Sequence, residues 1–344
     1  MIGINQSPDP IIRPACQFPN TSIASWNMRG SMFPKVQGEK NINRQKTVKR
    51  LCQNNDIVML QECYVTGHFD QENRRYTGQI NLIKEMLPDH IILMNYVWEN
   101  NGEFTTCIII KKEYLQKNGF HFTHLRHDGI FSSGVELRNP LSRIAIINVY
   151  FPTGITPEKI ELRKQHINST RNLIPNGFRE DEKSTLIMGG DYNVIRGPGE
   201  RIQRFNRDGY YRNSPDGYYE AEEEVRQTIN ELTEEMNLGE ISHGNYTCCS
   251  AGTRQGPGRN GIVSTYKTLS RLDRFFTDNS IIMGMTYDWR ITMDIIKDNP
   301  SDHSPINLKI TNKQRKTNGG EKEPKLQEWV YRHEQFPTLV KKFF

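Results

Sequence analysis

The chain has 344 residues, with 45 Lys and Arg against 40 Asp and Glu, a formal net charge of +5, 35% hydrophobic residues and 10% aromatic ones. That length can bury a substantial core, the aromatic content argues against wholesale disorder, and so small a net charge cannot by itself name a polyanionic partner. No run approaches the roughly 18 apolar residues of a membrane span, and residues 1–20 lack a basic start and an apolar signal core; the expectation is a soluble intracellular protein, not secreted and without a membrane partner.

In chain order, residues 1–20 read as a disordered extension. Short runs rich in Ile, Val and aromatics then predict strands at Ser22–Met28, Asp56–Gln61, Ile91–Trp98, Thr105–Lys111, Arg143–Phe151, Thr185–Gly190, Leu272–Thr277 and Pro305–Ile310. Amphipathic segments lie between several of them. Thr156–Ile174 reads as a helix with Thr156 as cap and Pro157 in the first turn. Glu220–Leu238 reads as another, with Val225, Ile229, Leu232 and Met236 on one face and Gly239 as its stop. Together they predict an α/β domain over residues 21–311. Residues 312–325, polar and glycine-containing, read as a linker, and residues 326–344 regain aromatic and aliphatic side chains. The six cysteines (Cys16, Cys52, Cys63, Cys107, Cys248, Cys249) show no metal-type spacing and read as buried free thiols in a reducing compartment.

Polar clusters close several predicted strands, where an open α/β architecture usually places its ligands. They are Trp26-Asn27, Gln61-Glu62, Gly190-Asp191-Tyr192-Asn193, Ser270-Arg271-Leu272-Asp273 and Ser301-Asp302-His303. Taken singly, each is compatible with a solvated loop. Together they supply what phosphodiester cleavage needs. Mg²⁺ typically takes one or two carboxylates, and Glu62 is the first candidate. Asp191, with Asn193 beside it, suits the orientation and deprotonation of a water. His303 could act near a phosphate if a carboxylate fixes its tautomer, and Asp273 is the candidate for that.

The segments SWNMRG around Asn27, LQE at Glu62, NVYFPTG around Tyr150, GGDYNV around Asp191, SRLDRFF around Asp273 and SDHSPI around His303 resemble, in order, the six motifs of the endonuclease/exonuclease/phosphatase superfamily. The resemblance runs from about residue 21 to residue 310. It implies a four-layer α/β/β/α sandwich with two facing mixed sheets, DNase I-like, and a metal site at one rim. It further implies a Mg²⁺ cofactor, with Mn²⁺ able to substitute, held by Glu62 with Asn27 and Asp302 close by. Asp191 and Asn193 would handle the nucleophile, Tyr150 would contact the phosphate, and Asp273 would pair with His303. Without the resemblance, Tyr150 reads as a strand-end aromatic and Asn27 as a turn or capping residue.

Within the superfamily, Arg271-Leu272-Asp273-Arg274 departs from the Trp-Cys-Asp-Arg of inositol polyphosphate phosphatases. Ser270 stands where abasic-site repair enzymes carry tryptophan, and the signal peptide and disulfide of secreted deoxyribonucleases are missing. The Tyr246-Thr247 pair, SRLDRF and SDHSP are most similar to the endonuclease domains of LINE-type (non-LTR) retrotransposons. That resemblance implies a DNA partner, nicking of a target site, action in the nucleus, and a reverse transcriptase in a full-length element. Residues 326–344 resemble the segment that joins the two, or else form a terminal helix. Arg196, Arg201 and Arg204, among aromatics, and Arg271 are candidate DNA contacts. Residues 251–267, with four glycines and Pro257, predict a protruding hairpin or loop that presents Arg254 and Arg259 to DNA, or a surface insertion without a role. Competing readings are a phosphomonoesterase, sphingomyelinase or toxin-like nuclease on the same scaffold, and a non-catalytic nucleic-acid-binding module.

Overall fold

Ile23, Ala24, Trp26 and Met28 are all fully buried. Successive side chains on a strand point to opposite faces, so this first strand must be covered on both of them. The computed structural model describes residues 18–31, 33, 38–70, 75–97, 103–126, 131–181, 183–205, 211–213, 216–255, 263–283, 287–294 and 299–312. In chain order its strands are β1 (Thr21–Asn27), β2 (Ile57–Asp70), β3 (Arg75–Gly78), β4 (His90–Val97), β5 (Glu103–Lys111), β6 (His121–Leu125), β7 (Ser133–Arg138), β8 (Arg143–Tyr150) and β9 (Ser184–Asp191). There follow β10 (Arg201–Phe205), β11 (Tyr211–Asn213), β12 (Leu238–Glu240), β13 (Cys248–Gln255), β14 (Val263–Ser270), β15 (Asp273–Asp278), β16 (Tyr287–Met293) and β17 (Ile306–Asn312). The helices are α1 (Glu39–Asn54), α2 (Gln79–Met86), α3 (Lys112–Asn118), α4 (Pro157–Ser169), α5 (Asp216–Ala221), α6 (Glu223–Glu235) and α7 (Asn279–Met283).

One sheet runs β16-β17-β1-β2-β5-β4, with β3 paired to the far end of β2, and a second runs β12-β15-β9-β8-β7-β6. Both are mixed: β1 and β2 are parallel, as are β8 and β9, while their other neighbours are antiparallel. The sheets face each other across one core, in which Ile57, Met59 and Ile108 meet Val135, Ile146, Ile187 and Phe275. On the outer face of the first sheet, Val48 and Leu51 of α1 and Ile80 and Ile83 of α2 cover Val58, Leu60 and Ile109. On the outer face of the second, Ile167 of α4 and Val225, Ile229 and Leu232 of α6 cover Ala145, Ile147 and Met188. This is the four-layer α/β/β/α sandwich that the motifs imply. A further small sheet, β11-β10-β14-β13, contains the expected hairpin: β13 pairs antiparallel with β14 from Cys248↔Ser270 to Gln255↔Val263. Its tip, with Arg259, lies outside the described residues, as do residues 1–17 and 313–344 with the predicted linker and connector. Among the described residues, no helix is long and apolar enough to cross a membrane.

Several elements differ from the expectations. Packing reaches back to Phe18, which is 2% exposed and whose backbone N–H donates to Tyr287 Oη at 2.7 Å, so residues 18–20 are no loose extension. The helix after Thr156 does begin with Pro157 at its first position, but it gives way at Thr170–Leu173 to a 3₁₀ turn, and the Thr156 side chain makes no cap hydrogen bond. The segment expected as one helix over Glu220–Leu238 is two helices, broken at Glu222. Its stop is Asn237, at φ +49°, rather than Gly239. Asn tolerates the left-handed region, which releases Leu238 into β12. Gly239 is needed in that strand because a Cβ there would run into Asn279 and Ile282. The thiols of Cys52, Cys63, Cys107 and Cys248 are buried, but Cys249 is exposed, contrary to the uniform burial expected of them. Burial pushes Cys52 and Cys63 up to about 12, which leaves them protonated and unreactive.

Candidate active site

The parallel pairs place chemistry at one rim. Asn27 ends β1 opposite Gln61 of β2, Tyr150 ends β8 opposite Asp191 of β9, and Asp273 opens β15 opposite the same Asp191. His303 sits in the loop before β17, next to β1, where Trp26 Nε1 donates to its carbonyl oxygen at 3.0 Å and Ser301 Oγ donates to Asn27 O at 2.7 Å. Residues scattered over 277 positions are thus drawn together by strand order, and two inter-segment hydrogen bonds lock the last loop to the first strand.

The backbone is strained here. Of the five non-glycine residues at positive φ among the described residues, four stand at this rim: Arg29 (+48°), Glu62 (+47°), Tyr64 (+32°) and Asn193 (+49°). Such conformations cost about 1–3 kcal/mol each and persist only where surrounding contacts over-determine them. Glu62 and Tyr64 lie where β2 and β5 slip register between Gln61 and Val65, and this bulge turns the Glu62 carboxylate out of the ladder toward Asn27. Asn193 is held through its amide nitrogen on Phe151 O (2.9 Å) and through its carbonyl oxygen by Arg163 Nη2 (2.7 Å). Gly190, just before Asp191, has φ +143°, and a Cβ there would collide with the Val149 carbonyl. Only glycine fits.

One amide organises the centre. Asn27 Nδ2 donates to Glu62 Oε1 and to Asp191 Oδ2, both at 2.8 Å, while its Oδ1 accepts the Arg29 backbone N–H. Asn27 therefore spaces two carboxylates, and its Oδ1 keeps a second lone pair beyond the Arg29 bond. Tyr64 Oη donates to Glu62 Oε2 at 3.1 Å. Tyr150 is buried close enough to Glu62 and Asp191 that burial first, then their charges, push its phenol far up, so it stays a neutral donor.

Asp191 is fully buried, and its Oδ1 accepts the Asn193 backbone N–H at 2.9 Å. Burial raises its pKa, with His303 pulling the other way and Asp273 adding to the rise. A raised carboxyl is a better proton acceptor than a solvated one. His303 Nδ1 lies 2.9 Å from Asp273 Oδ2, and Nε2 lies 3.9 Å from Asp191 Oδ2 with no nitrogen or oxygen as hydrogen-bond partner. Burial disfavours the imidazolium, but the Asp273 and Asp191 carboxylates outweigh it and hold the His303 pKa well above its ordinary value. Asp273 is itself positioned by Thr247, whose Oγ1 accepts the backbone N–H of both Leu272 and Asp273 at 3.1 Å, which explains the Tyr-Thr pair upstream of SRLD.

The structure is informative about what holds a cation. Arg29 Nη1 lies 2.6 Å from Asp302 Oδ2 and its Nε 3.8 Å from Glu62 Oε1, so a guanidinium already sits against both carboxylates. Asp302 Oδ1 is buried with no partner. Two carboxylates that gather one positive group, one with an orphaned oxygen, are the hard oxygen donors a Mg²⁺ ion takes, so the residues fit that ion. Arg29 was not anticipated. Its only signal is its place two residues after Asn27, and its strained backbone is pinned by Arg44, whose Nη2 donates to Arg29 O at 2.6 Å.

Of the arginines proposed for DNA, two turn inward. Arg196 binds Glu240 Oε2 (2.9 Å) and Asn230, and Arg271 binds Glu200 and the His243 carbonyl. With Arg274, which is unexposed and pairs with Glu200 and Glu240, they form a partly buried network. Arg201 Nε donates to Ser270 Oγ at 3.1 Å, and the side chains of Arg204 and Arg254 lie outside the described ones.

The chain matches no family model and no curated protein. Solved structures similar to it include TDP2 from C. elegans (16% identity, 85% of this chain and 75% of that one, TM-score 0.45) and the endonuclease domain of TRAS1, a telomere-specific non-LTR retrotransposon (13%, 86% and 100%, TM-score 0.46). An AP endonuclease from Archaeoglobus fulgidus is similar at 16% identity over 84% of this chain and 98% of that one, with TM-score 0.48. The likeness is one of layered architecture. Six ordered motifs on two facing sheets, converging at one rim, mark the fold. It is the four-layer α/β/β/α fold that the resemblance to the endonuclease/exonuclease/phosphatase superfamily implies.

Because Asp273 acts on His303 through a single hydrogen bond, Asp273→Asn and His303→Gln are expected to lower hydrolysis similarly, and the double variant to lose little more. Rates for the four proteins of this cycle check it. Losses that multiply would show that the pair does not work as a unit.

Proposed function

We propose that the chain is a Mg²⁺-dependent phosphodiesterase of this superfamily that nicks DNA, as LINE-type retrotransposon endonucleases nick a target site. The observation that carries the reading is the double hydrogen bond of Asn27, which sets Glu62 and Asp191 on either side of one amide with the His303–Asp273 pair against Asp191. Glu62 and Asp302 would hold the cation. Bound there, it would offset charge on the scissile phosphate and leaving oxygen. Asp191 takes the proton of the attacking water, Asn193 fixes the loop that follows it, and Tyr150 donates to a phosphate oxygen. His303, protonated and oriented by Asp273, donates to the phosphate as negative charge builds there.

The deciding experiment incubates the full chain with supercoiled plasmid, with and without Mg²⁺. Nicked circles that form only with metal are expected, with Mn²⁺ as a substitute. A plasmid left supercoiled while inorganic phosphate is released from monoesters would instead make the enzyme a phosphomonoesterase.

The substrate reading extends to the β13–β14 hairpin. Replacing residues 252–263 by a short Gly-Ser turn is expected to leave metal binding intact but to change cleavage-site choice. Every ion pair to a DNA phosphate that the replacement removes should lower the magnitude of the log-log salt slope of duplex binding by about 0.9. An unchanged cleavage ladder together with an unchanged slope would remove the hairpin from the DNA interface.

A further inference from the structure

Cys248 opens β13 and bridges in antiparallel fashion to His303, so that the thiol lies at the rim of the candidate site. One ligand atom from each of Cys248, Asp302 and His303 falls within 4.8 Å of the others. Asp302 carries a buried oxygen, Oδ1, without a partner, and His303, which is unexposed, meets no nitrogen or oxygen at Nε2 while its ring shares a hydrogen bond with the Cys248 thiol. The His303 ring is also held as metal-binding histidines usually are. Its Nδ1 is fixed by the Asp273 carboxylate at 2.9 Å, which leaves Nε2 as the donor.

From this geometry we infer that Cys248, His303 and Asp302 form a second metal site, selective for a thiophilic divalent ion such as Zn²⁺, whose occupancy silences the centre. A sulfur, an imidazole nitrogen and a carboxylate oxygen with one open position make the donor set of a four-coordinate zinc site, with bonds of about 2.0–2.3 Å. Mg²⁺ has no use for sulfur, whereas a thiolate favours zinc over the hard cations. Ligation releases two protons to solvent, one from the Cys248 thiol and one from Nε2 of the His303 imidazolium, and leaves every other bond unchanged. It also takes up the imidazole nitrogen that faces Asp191, so zinc and the His303 role exclude each other. Cys249, adjacent and exposed, is the natural rival ligand and therefore the control.

The test uses Co²⁺ as a spectroscopic stand-in, titrated into the full chain in excess Mg²⁺. A near-ultraviolet thiolate-to-cobalt charge-transfer band with one-to-one stoichiometry is expected, and one equivalent of Zn²⁺ should abolish it. Cys248→Ser should lose the band and weaken binding at least about tenfold, Asp273→Asn should weaken it roughly 10–100-fold with the band retained, and Cys249→Ser should change nothing. Should Cys248→Ser fail to fold, alkylation of the unmodified protein gives the same answer, with Zn²⁺ expected to protect Cys248 and not Cys249. Absence of the band in the unmodified protein, its persistence in Cys248→Ser, or its loss in Cys249→Ser would overturn the site. The spectra do not depend on nicking: a band in a protein that leaves plasmid uncut in Mg²⁺ before any cobalt or zinc is added would refute the nuclease reading and keep the metal site. Where nicking is present, Zn²⁺ should suppress it in excess Mg²⁺.

Discussion

Glu62→Gln and Asp191→Asn are each expected to lower metal-dependent plasmid nicking by roughly 10²-fold or more. Both substitutions keep shape and remove charge, which separates chemistry from packing. Glutamine at 62 can still accept from Asn27 through its oxygen, so the bulge in β2 survives, but the site loses half of its anionic charge for a cation. Asparagine at 191 can keep the Asn193 backbone bond through its oxygen, but its amide nitrogen then faces the Asn27 donor, so that bond is lost, and it cannot take a proton. The two should differ in a second reading: Mg²⁺ affinity, followed by a metal-induced rise in melting temperature, falls in Glu62→Gln and is largely kept in Asp191→Asn. Near-normal nicking by a folded Glu62→Gln protein would place the cation elsewhere.

The second large effect concerns stability. Arg163 is unexposed in α4, and its Nη1 binds Glu222 Oε1 (3.2 Å) and Gly154 O (3.0 Å), while Nη2 binds Asn193 O. Arg163→Met fills the space but strands the Glu222 carboxylate, itself 2% exposed, and frees the carbonyl that keeps Asn193 at positive φ. Breaking one partner of a buried pair typically costs about 3–5 kcal/mol, so the urea midpoint should fall accordingly. The double variant Arg163→Met/Glu222→Leu should recover much of the stability, because no lone charge remains, while both variants are expected to lose activity, because the Asn193 carbonyl no longer has the Arg163 guanidinium. A double variant with full activity would show that Arg163 serves packing alone.

Much of the sandwich could be read in advance because its central strands are buried on both faces, and buried strands announce themselves as apolar runs: β1, β5, β8 and β9 all do so. Edge strands do not. β6 exposes His121, Phe122 and Thr123, and β16 alternates buried Tyr287 with Asp288 and Arg290, so neither forms an apolar block. The break in the α5–α6 segment was illegible for another reason. Glu222 leaves the helix to meet an arginine 59 residues away, and no local periodicity encodes a distant partner. Polar residues of the site stood at strand ends in the sequence, but the meaning of the arginines did not. Arg196 and Arg271 look like phosphate ligands beside Tyr and Phe. Only the fold reveals that Glu200 and Glu240 claim them, and that Arg29, in a position with no aromatic neighbour to flag it, is the one that reaches the carboxylates. The bulge at Glu62 was equally silent, since nothing in Leu-Gln-Glu foretells a register slip.

The pairing of β1 with β17 has a consequence for how such a domain can be built into a larger chain. Thr21 pairs with Ile310, and the Asn312 backbone N–H donates to Asn20 Oδ1 at 2.8 Å, so the way in and the way out lie side by side. Asn27, six residues along the same strand, is at the other end of it, roughly 20 Å away at about 3.3 Å per residue. The domain is therefore closed like a cartridge: its first and last described strands end side by side at the rim opposite Asn27, the arrangement that lets a domain be set into a surface turn of a host chain.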